Sequence, residues 1–308
     1  MEAKTNMTYI ILGGFVEVQR YRYLYFMIML TAYLVIISFN ISIVCLIIVH
    51  KSLHEPMYVF IAALLINSIL FSTNIYPKLF IDFLSERQVI PYQACLFQVF
   101  AFYSLSASEF LLLAAMAYDR YVSICKPLRY PSIMTKTTVS ALLVLAWFVP
   151  ACHVSVSVIL SSNKRLCSYT INGIFCNNAG HGLYCVNSPA LSVFGVVVLF
   201  NVGFLPMLFI LFTYARIMVV AYQSGREVRR KAAQTCLPHL LVLINYSILI
   251  TYDVVIVKLE TDVPKMARLV MTLQIFMYNP LCNPLIYGIK MKEISKHLKR
   301  LFCQTKWK

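Results

Sequence analysis

A chain of 308 residues that is 60% hydrophobic and only 13% charged lacks the polar side chains needed to cover a folded surface in water. Its mean hydropathy of +0.75 points to a bilayer instead. The formal net charge of +15 raises the question of nucleic acid, but the basic residues gather at the ends of apolar segments, which argues against that partner.

Residues 1–22 carry Glu2, Glu17, Arg20 and Arg22 and lack the basic start and apolar run of a cleavable signal. The first apolar span is therefore expected to act as the insertion signal. Asn6–Met7–Thr8 is a glycosylation sequon, with Asn6 as the candidate acceptor; the other two matches, at Asn40 and Asn245, fall inside spans.

Long uncharged stretches then predict seven transmembrane helices, at about 23–49, 57–82, 93–120, 138–160, 190–218, 233–257 and 268–289. Each supplies the roughly 20 residues that cross a bilayer core, whereas a β-barrel would show many short alternating segments. The expected fold is an all-α membrane protein, one seven-transmembrane domain over residues 1–308 with no separate ligand-binding or enzymatic domain. Seven spans put the termini on opposite sides. Seventeen of the 27 Lys and Arg fall on the side of Arg120 and the C-terminus, so that side is expected in the cytoplasm and the N-terminus outside.

The third span contains one acid, Glu109, and closes on Asp119–Arg120–Tyr121. An arginine at the membrane edge is costly unless paired, and a pair at a helix end can be opened by a binding partner. This step reads as a candidate switch. The only long loop, about 161–189, holds Cys167, Cys176 and Cys185, and Cys95 lies at the same end of the third span. Four cysteines in an oxidising space allow three pairings, which spacing leaves open. Metal binding is the weaker reading, because His181 is the only imidazole nearby. Cys45, Cys152, Cys236 and Cys282 read as packing residues, and Cys125 and Cys303 face the cytoplasm.

Arg226, Arg229, Arg230 and Lys231 lead into the sixth span as a basic cluster, and Pro280 and Pro284 break the backbone ladder of the seventh. Residues 279–287 thus form a candidate hinge. The tail places Ile294, Leu298, Leu301 and Phe302 on one face of an amphipathic helix over 291–303, expected to lie on anionic inner-leaflet lipid. Cys303 there is a candidate for palmitoylation. No internal repeat supports a transporter, and no Ser/His dyad, paired aspartates or HExxH string supports an enzyme. No cofactor is expected.

Four strings carry a resemblance. LHEPMYVF (53–60), MAYDRYVSICKPLRY (116–130), KAAQTCLPH (231–239) and NPLCNPLIYG (279–288) resemble, in order and position, the signatures of odorant receptors, a G-protein-coupled family. Together with PHLLVLINYS they look most like fish odorant receptors. The resemblance implies disulfides Cys95–Cys176 and Cys167–Cys185. It also implies a switch of Asp119, Arg120 and Tyr121 freed by movement of the sixth span, with Asn283, Pro284 and Tyr287 as moving parts of the seventh.

A receptor of this build binds a small odorant among the outer halves of its spans. Candidate contacts are Phe102, Tyr103, Ser106, Leu199, Val202, Tyr246, Asp253, Lys258, Gln274 and Tyr278. A stimulatory, olfactory-type heterotrimeric G protein is the implied partner, cyclic AMP the implied output, and the plasma membrane of olfactory sensory neuron cilia the implied location. A non-olfactory chemosensory or metabolite receptor is the alternative within the class. The sequence departs from the family in two places. Ser68 stands where many members carry an aspartate thought to share a sodium ion with the acid at Glu109, which counts against such a site. The usual FY pair of the sixth span reads Asn245–Tyr246–Ser247.

Overall fold

The computed structural model describes residues 8–177, 182–186, 189–226, 230, 236–248, 251 and 264–304, apart from the side chains of 292 and 301–304. Asn6, Asp253, Lys258 and the basic residues Arg229 and Lys231 lie outside the described residues. Six helices among these are long and apolar enough to cross a bilayer: α1 (Val18–Val49), α2 (Pro56–Leu84), α3 (Tyr92–Cys125), α4 (Lys136–Ser162), α5 (Pro189–Gln223) and α7 (Lys265–Lys290). A shorter apolar helix, α6 (Cys236–Ile248), stands in the predicted sixth span. The bundle is completed by α8 (Lys292–Gln304).

Local chemistry sets several boundaries. Pro56 opens α2, where a missing N–H costs nothing and its fixed φ suits the first turn. Thr135 caps α4 by accepting from the Thr138 amide at 3.2 Å. Pro206 lacks the N–H that would bond one turn back, and just before it the ladder of α5 widens to a π-helical stretch over Phe200–Phe204.

The central helices are α2 and α3, each with 61% of its apolar window buried, while α4 and α5 at 17% and 22% show most of their surface to the surroundings. One apolar core fills the half of the bundle around Leu53, Leu64, Leu112, Met116 and Tyr287. A second, rich in aromatic residues, fills the other half around Phe83, Phe102, Phe175 and Phe276. Gly288 lets α1, α7 and α8 converge: a Cβ there would stand 3.3 Å from Leu298 and 3.5 Å from Ile43.

The second end is closed by a small sheet of order β2-β1-β3, made of β1 (Tyr9–Leu12), β2 (Val89–Pro91) and β3 (Thr170–Ile171). Strand β1 runs antiparallel to β2 with Ile11 opposite Val89, and parallel to β3 with Leu12 opposite Ile171. Beneath it, Cys95 is bonded to Cys176 across 81 residues, and Cys167 to Cys185 across 18. Chain-entropy arguments make the longer closure worth about 4.5 kcal/mol and the shorter about 3 kcal/mol, and the longer one ties the loop that carries strand β3 to α3. Cys95→Ser should therefore lower the thermal midpoint of the purified protein more than Cys167→Ser does. The reverse order would show that the short loop, rather than the tie to α3, holds this end together.

Candidate functional site

One stripe of α3 organises the interior. Cys95, Gln98, Phe102, Ser106, Glu109, Leu113, Met116 and Asp119 recur at intervals of three and four, and all are buried. At the disulfide end, Gln98 Oε1 accepts the Cys176 amide at 3.0 Å. One turn deeper, the Phe102 ring lies 5.3 Å from Phe71, 4.9 Å from Phe175 and 5.0 Å from Tyr103. Phe175 in turn meets Phe276 of α7 edge-on at 5.0 Å. Below them, the Tyr246 hydroxyl donates to the Ser106 carbonyl at 2.8 Å and the Tyr246 ring packs on Phe110 at 4.9 Å. The hydroxyls of Ser104 and Ser106 have no hydrogen-bond partner among the described residues. The result is an aromatic wall with a few polar atoms, the surroundings that small organic ligands use.

The sequence-predicted ligand contacts divide. Phe102, Tyr103, Ser106 and Tyr246 gather at this level, and all but the half-buried Tyr103 are buried; Val202 of α5 is buried as well. Leu199, Gln274 and Tyr278 are exposed. On α7 the buried face is Phe276, Asn279 and Asn283. Gln274 and Tyr278 stand off that face, which follows helical spacing from the asparagines. Counting back from Asn283 through Asn279 leads to Phe276, so the signal was present. Phe71 and Phe175 gave none, since each reads as an ordinary apolar residue of a span or loop.

At mid-bundle, Glu109 Oε2 accepts from the Asn279 amide at 2.6 Å and Oε1 from the Asn283 amide at 2.9 Å. The same Asn283 nitrogen donates to Ser68 Oγ at 3.1 Å. Asn67 is engaged elsewhere, donating to the Leu105 carbonyl at 3.0 Å and accepting from the Trp147 indole at 3.2 Å. A sodium ion requires converging oxygens. Here N–H groups face the carboxylate, both amide oxygens are turned from it and unpartnered, and position 68 supplies a hydroxyl in place of a second charge. As they stand, the amides solvate the carboxylate through their N–H groups, and position 68 adds no second charge.

The two prolines of α7 leave two backbone carbonyls without their usual donors, and neighbouring helices supply side chains. Pro284 frees the Pro280 carbonyl, which accepts from Asn40 Nδ2 at 2.9 Å, and Pro280 frees the Phe276 carbonyl, which the Tyr76 hydroxyl reaches at 3.5 Å.

At the other end of α3, Asp119 is fully buried. Its Oδ2 is paired with Arg120, whose Nε lies at 2.9 Å, and its Oδ1 accepts from the Tyr130 hydroxyl at 2.8 Å. Burial, and then the Asp119 charge, hold the Tyr130 phenol well above its ordinary range, so it remains a donor. The Tyr121 ring carries the Lys126 ammonium at 5.8 Å. Tyr287 of α7 and His239 of α6, both buried, share a hydrogen bond of 3.2 Å. Leu128, 97% exposed, projects beside this clasp, and sequence reasoning overlooked it because an isolated leucine in a loop carries no periodic signal.

The comparisons with known proteins address the whole chain. The family model described as olfactory receptor matches residues 28–305. Olfactory receptor-like protein COR2 of Gallus gallus is 36% identical over 98% of this chain and 97% of its own length. Human olfactory receptor 10K1 is 31% identical over the same shares.

The chain belongs to the olfactory receptor family. Its members are signalling receptors rather than enzymes, and the seven-helix bundle of this receptor is the fold they use.

The patched prolines of α7 give a test. Asn40→Ala leaves the Pro280 carbonyl buried without a donor and should cost about 1–3 kcal/mol, read as a lower thermal midpoint of the detergent-solubilised receptor. Tyr76→Phe, which removes only the longer contact, should cost less. Equal midpoints for wild type and Asn40→Ala would show that this carbonyl finds another donor.

Proposed function

We propose that this receptor binds a small, partly polar, water-soluble odorant at the disulfide end and passes its occupancy to a stimulatory, olfactory-type heterotrimeric G protein that raises cyclic AMP. The ligand level is that of Phe102, Tyr103, Ser106, Val202 and Tyr246, with Asp253 and Lys258 as charge-bearing contacts on sequence position alone. The N-terminus is extracellular, with Asn6 glycosylated, and the receptor resides in the plasma membrane of olfactory sensory neuron cilia. The Lys- and Arg-rich rim and α8 rest against anionic lipid of the inner leaflet.

The observation that carries the reading is the clasp at Asp119. A buried carboxylate held by both Arg120 and Tyr130 is a closed arrangement, and its opening would release a guanidinium at the helix end where a partner docks. Exposed Leu128 lies next to that point and offers an apolar contact to the same G protein.

Two variants test the switch. In cells supplying an olfactory G protein, Arg120→Ala should abolish odorant-stimulated cyclic AMP at equal surface expression; a response of wild-type size would sink the mechanism. Tyr130→Phe removes one hydrogen bond of about 1.5–3 kcal/mol from the closed arrangement. Ligand-independent cyclic AMP should rise as a result, and an unchanged basal level would show that Tyr130 only packs the loop.

A further inference from the structure

The segment that precedes α1 crosses the disulfide end of the bundle. Strand β1 lies between β2 and β3, and the crossing continues as the Gly13 amide donates to the Ile171 carbonyl at 2.8 Å and the Gly14 amide to the Gly173 carbonyl at 3.1 Å. Ile10 and Leu12 are buried against Ile90, Cys95, Ile171 and Cys176. Phe15 then meets Phe83 edge-on at 5.8 Å.

Gly14 sits so close to the loop that any Cβ there would stand 2.5 Å from the Gly173 carbonyl carbon and 2.7 Å from its Cα. Two backbones touch, with no side chain able to yield. Two residues beyond Gly173 comes Phe175, the ring wedged between Phe102 of α3 and Phe276 of α7. The crossing segment thus holds down the stretch of loop that carries this wedge.

We propose that residues 9–16 are a strap that fixes Phe175 as the upper wall of the ligand site, so that the strap limits both entry and the size of the ligand accepted. This rests on the ligand site being the level of Ser106, one turn below Phe102, as proposed above. The strap opens by parting β1 from β2 and β3, a local event that leaves the helices in place. Small ligands pass when it lifts, and bulky ones need Phe175 displaced.

The test uses neither odorant nor G protein. Ser106→Cys is introduced, and the receptor, purified in lipid nanodiscs that leave both ends accessible, is treated with 2-(trimethylammonium)ethyl methanethiosulfonate. Labelling of the new thiol is followed by mass spectrometry against the parent protein. Adding Gly14→Val, which forces Gly173 aside, should speed labelling about tenfold, the factor that a 1.4 kcal/mol loss of closure gives. Phe175→Ala should speed it as well. Cross-linking the strap to β2 through Ile11→Cys with Val89→Cys, a facing pair in the sheet, should slow it.

Equal labelling rates with the strap free and cross-linked would overturn the proposal, even if Gly14→Val fails to fold. So would no labelling in any variant, because a lifted strap must expose the thiol. If instead the rates change as expected but no odorant raises cyclic AMP, the strap stands and the ligand reading falls.

Discussion

A carboxylate in the middle of a helix bundle must be satisfied by its neighbours, and the architecture of this receptor is arranged around that requirement at Glu109. Burying an unpaired charge costs several kcal/mol, while amide donors in a dry interior recover much of it. Asn279 and Asn283 provide those donors from α7. The seventh helix is therefore fastened to the third where its own ladder is weakest, between Pro280 and Pro284. The carbonyls those prolines free are taken up by Asn40 of α1 and Tyr76 of α2, so four helices meet in one polar layer. Ser68 joins this layer as a neutral acceptor. With one acid in place of two, side-chain amides solvate a single carboxylate from α7.

The third helix works as a spine because its inward stripe changes chemistry along its length while keeping one spacing. It begins with a covalent tie at Cys95, passes through aromatic packing at Phe102 and a hydroxyl at Ser106, reaches the acid at Glu109, and ends in the clasp at Asp119. A rigid helix carries no signal by itself, since coupling needs an element with two arrangements. That element is better sought in the layers around the spine. Tyr246 ties α6 to Ser106 near the ligand level, and His239 ties the same helix to Tyr287 near the clasp. Movement of α6 would alter both ties together.

Much of this was legible in the sequence, for reasons that can be named. Hydropathy marks the spans because a bilayer core demands about 20 apolar residues from each. The α3 stripe follows from helical period once Glu109 and Asp119 are taken as inward. Inside a membrane, however, polarity is a poor guide to facing, since hydroxyls and amides near the rim can reach water while aromatic rings fill the centre. That is why Phe276, an ordinary apolar residue, gives by type alone no sign of its inward place. The small sheet was illegible for a different reason. Strand β3 has two residues and β1 has four, and their pairing depends on a loop folded back by Cys95–Cys176. Gly14 and Gly173 lie far apart in the chain, and nothing local indicates that their backbones meet.

These two kinds of contact differ in how they respond to a ligand. The polar layer at Glu109 is held by hydrogen bonds whose loss would leave further buried groups unpaired, so it resists small displacements and yields only in a concerted step. The aromatic level above it is held by ring contacts of 4.9–5.3 Å around Phe102, which slide at little cost. A ligand seated among the rings, as proposed, would meet a compliant wall on one side and a stiff floor on the other. On that reading the wall would absorb shape differences between ligands, and only those that load the floor or the Tyr246 tie would reach the Arg120 end. Breadth of recognition and sharpness of response can therefore coexist in one bundle, because they reside in layers with different bonding.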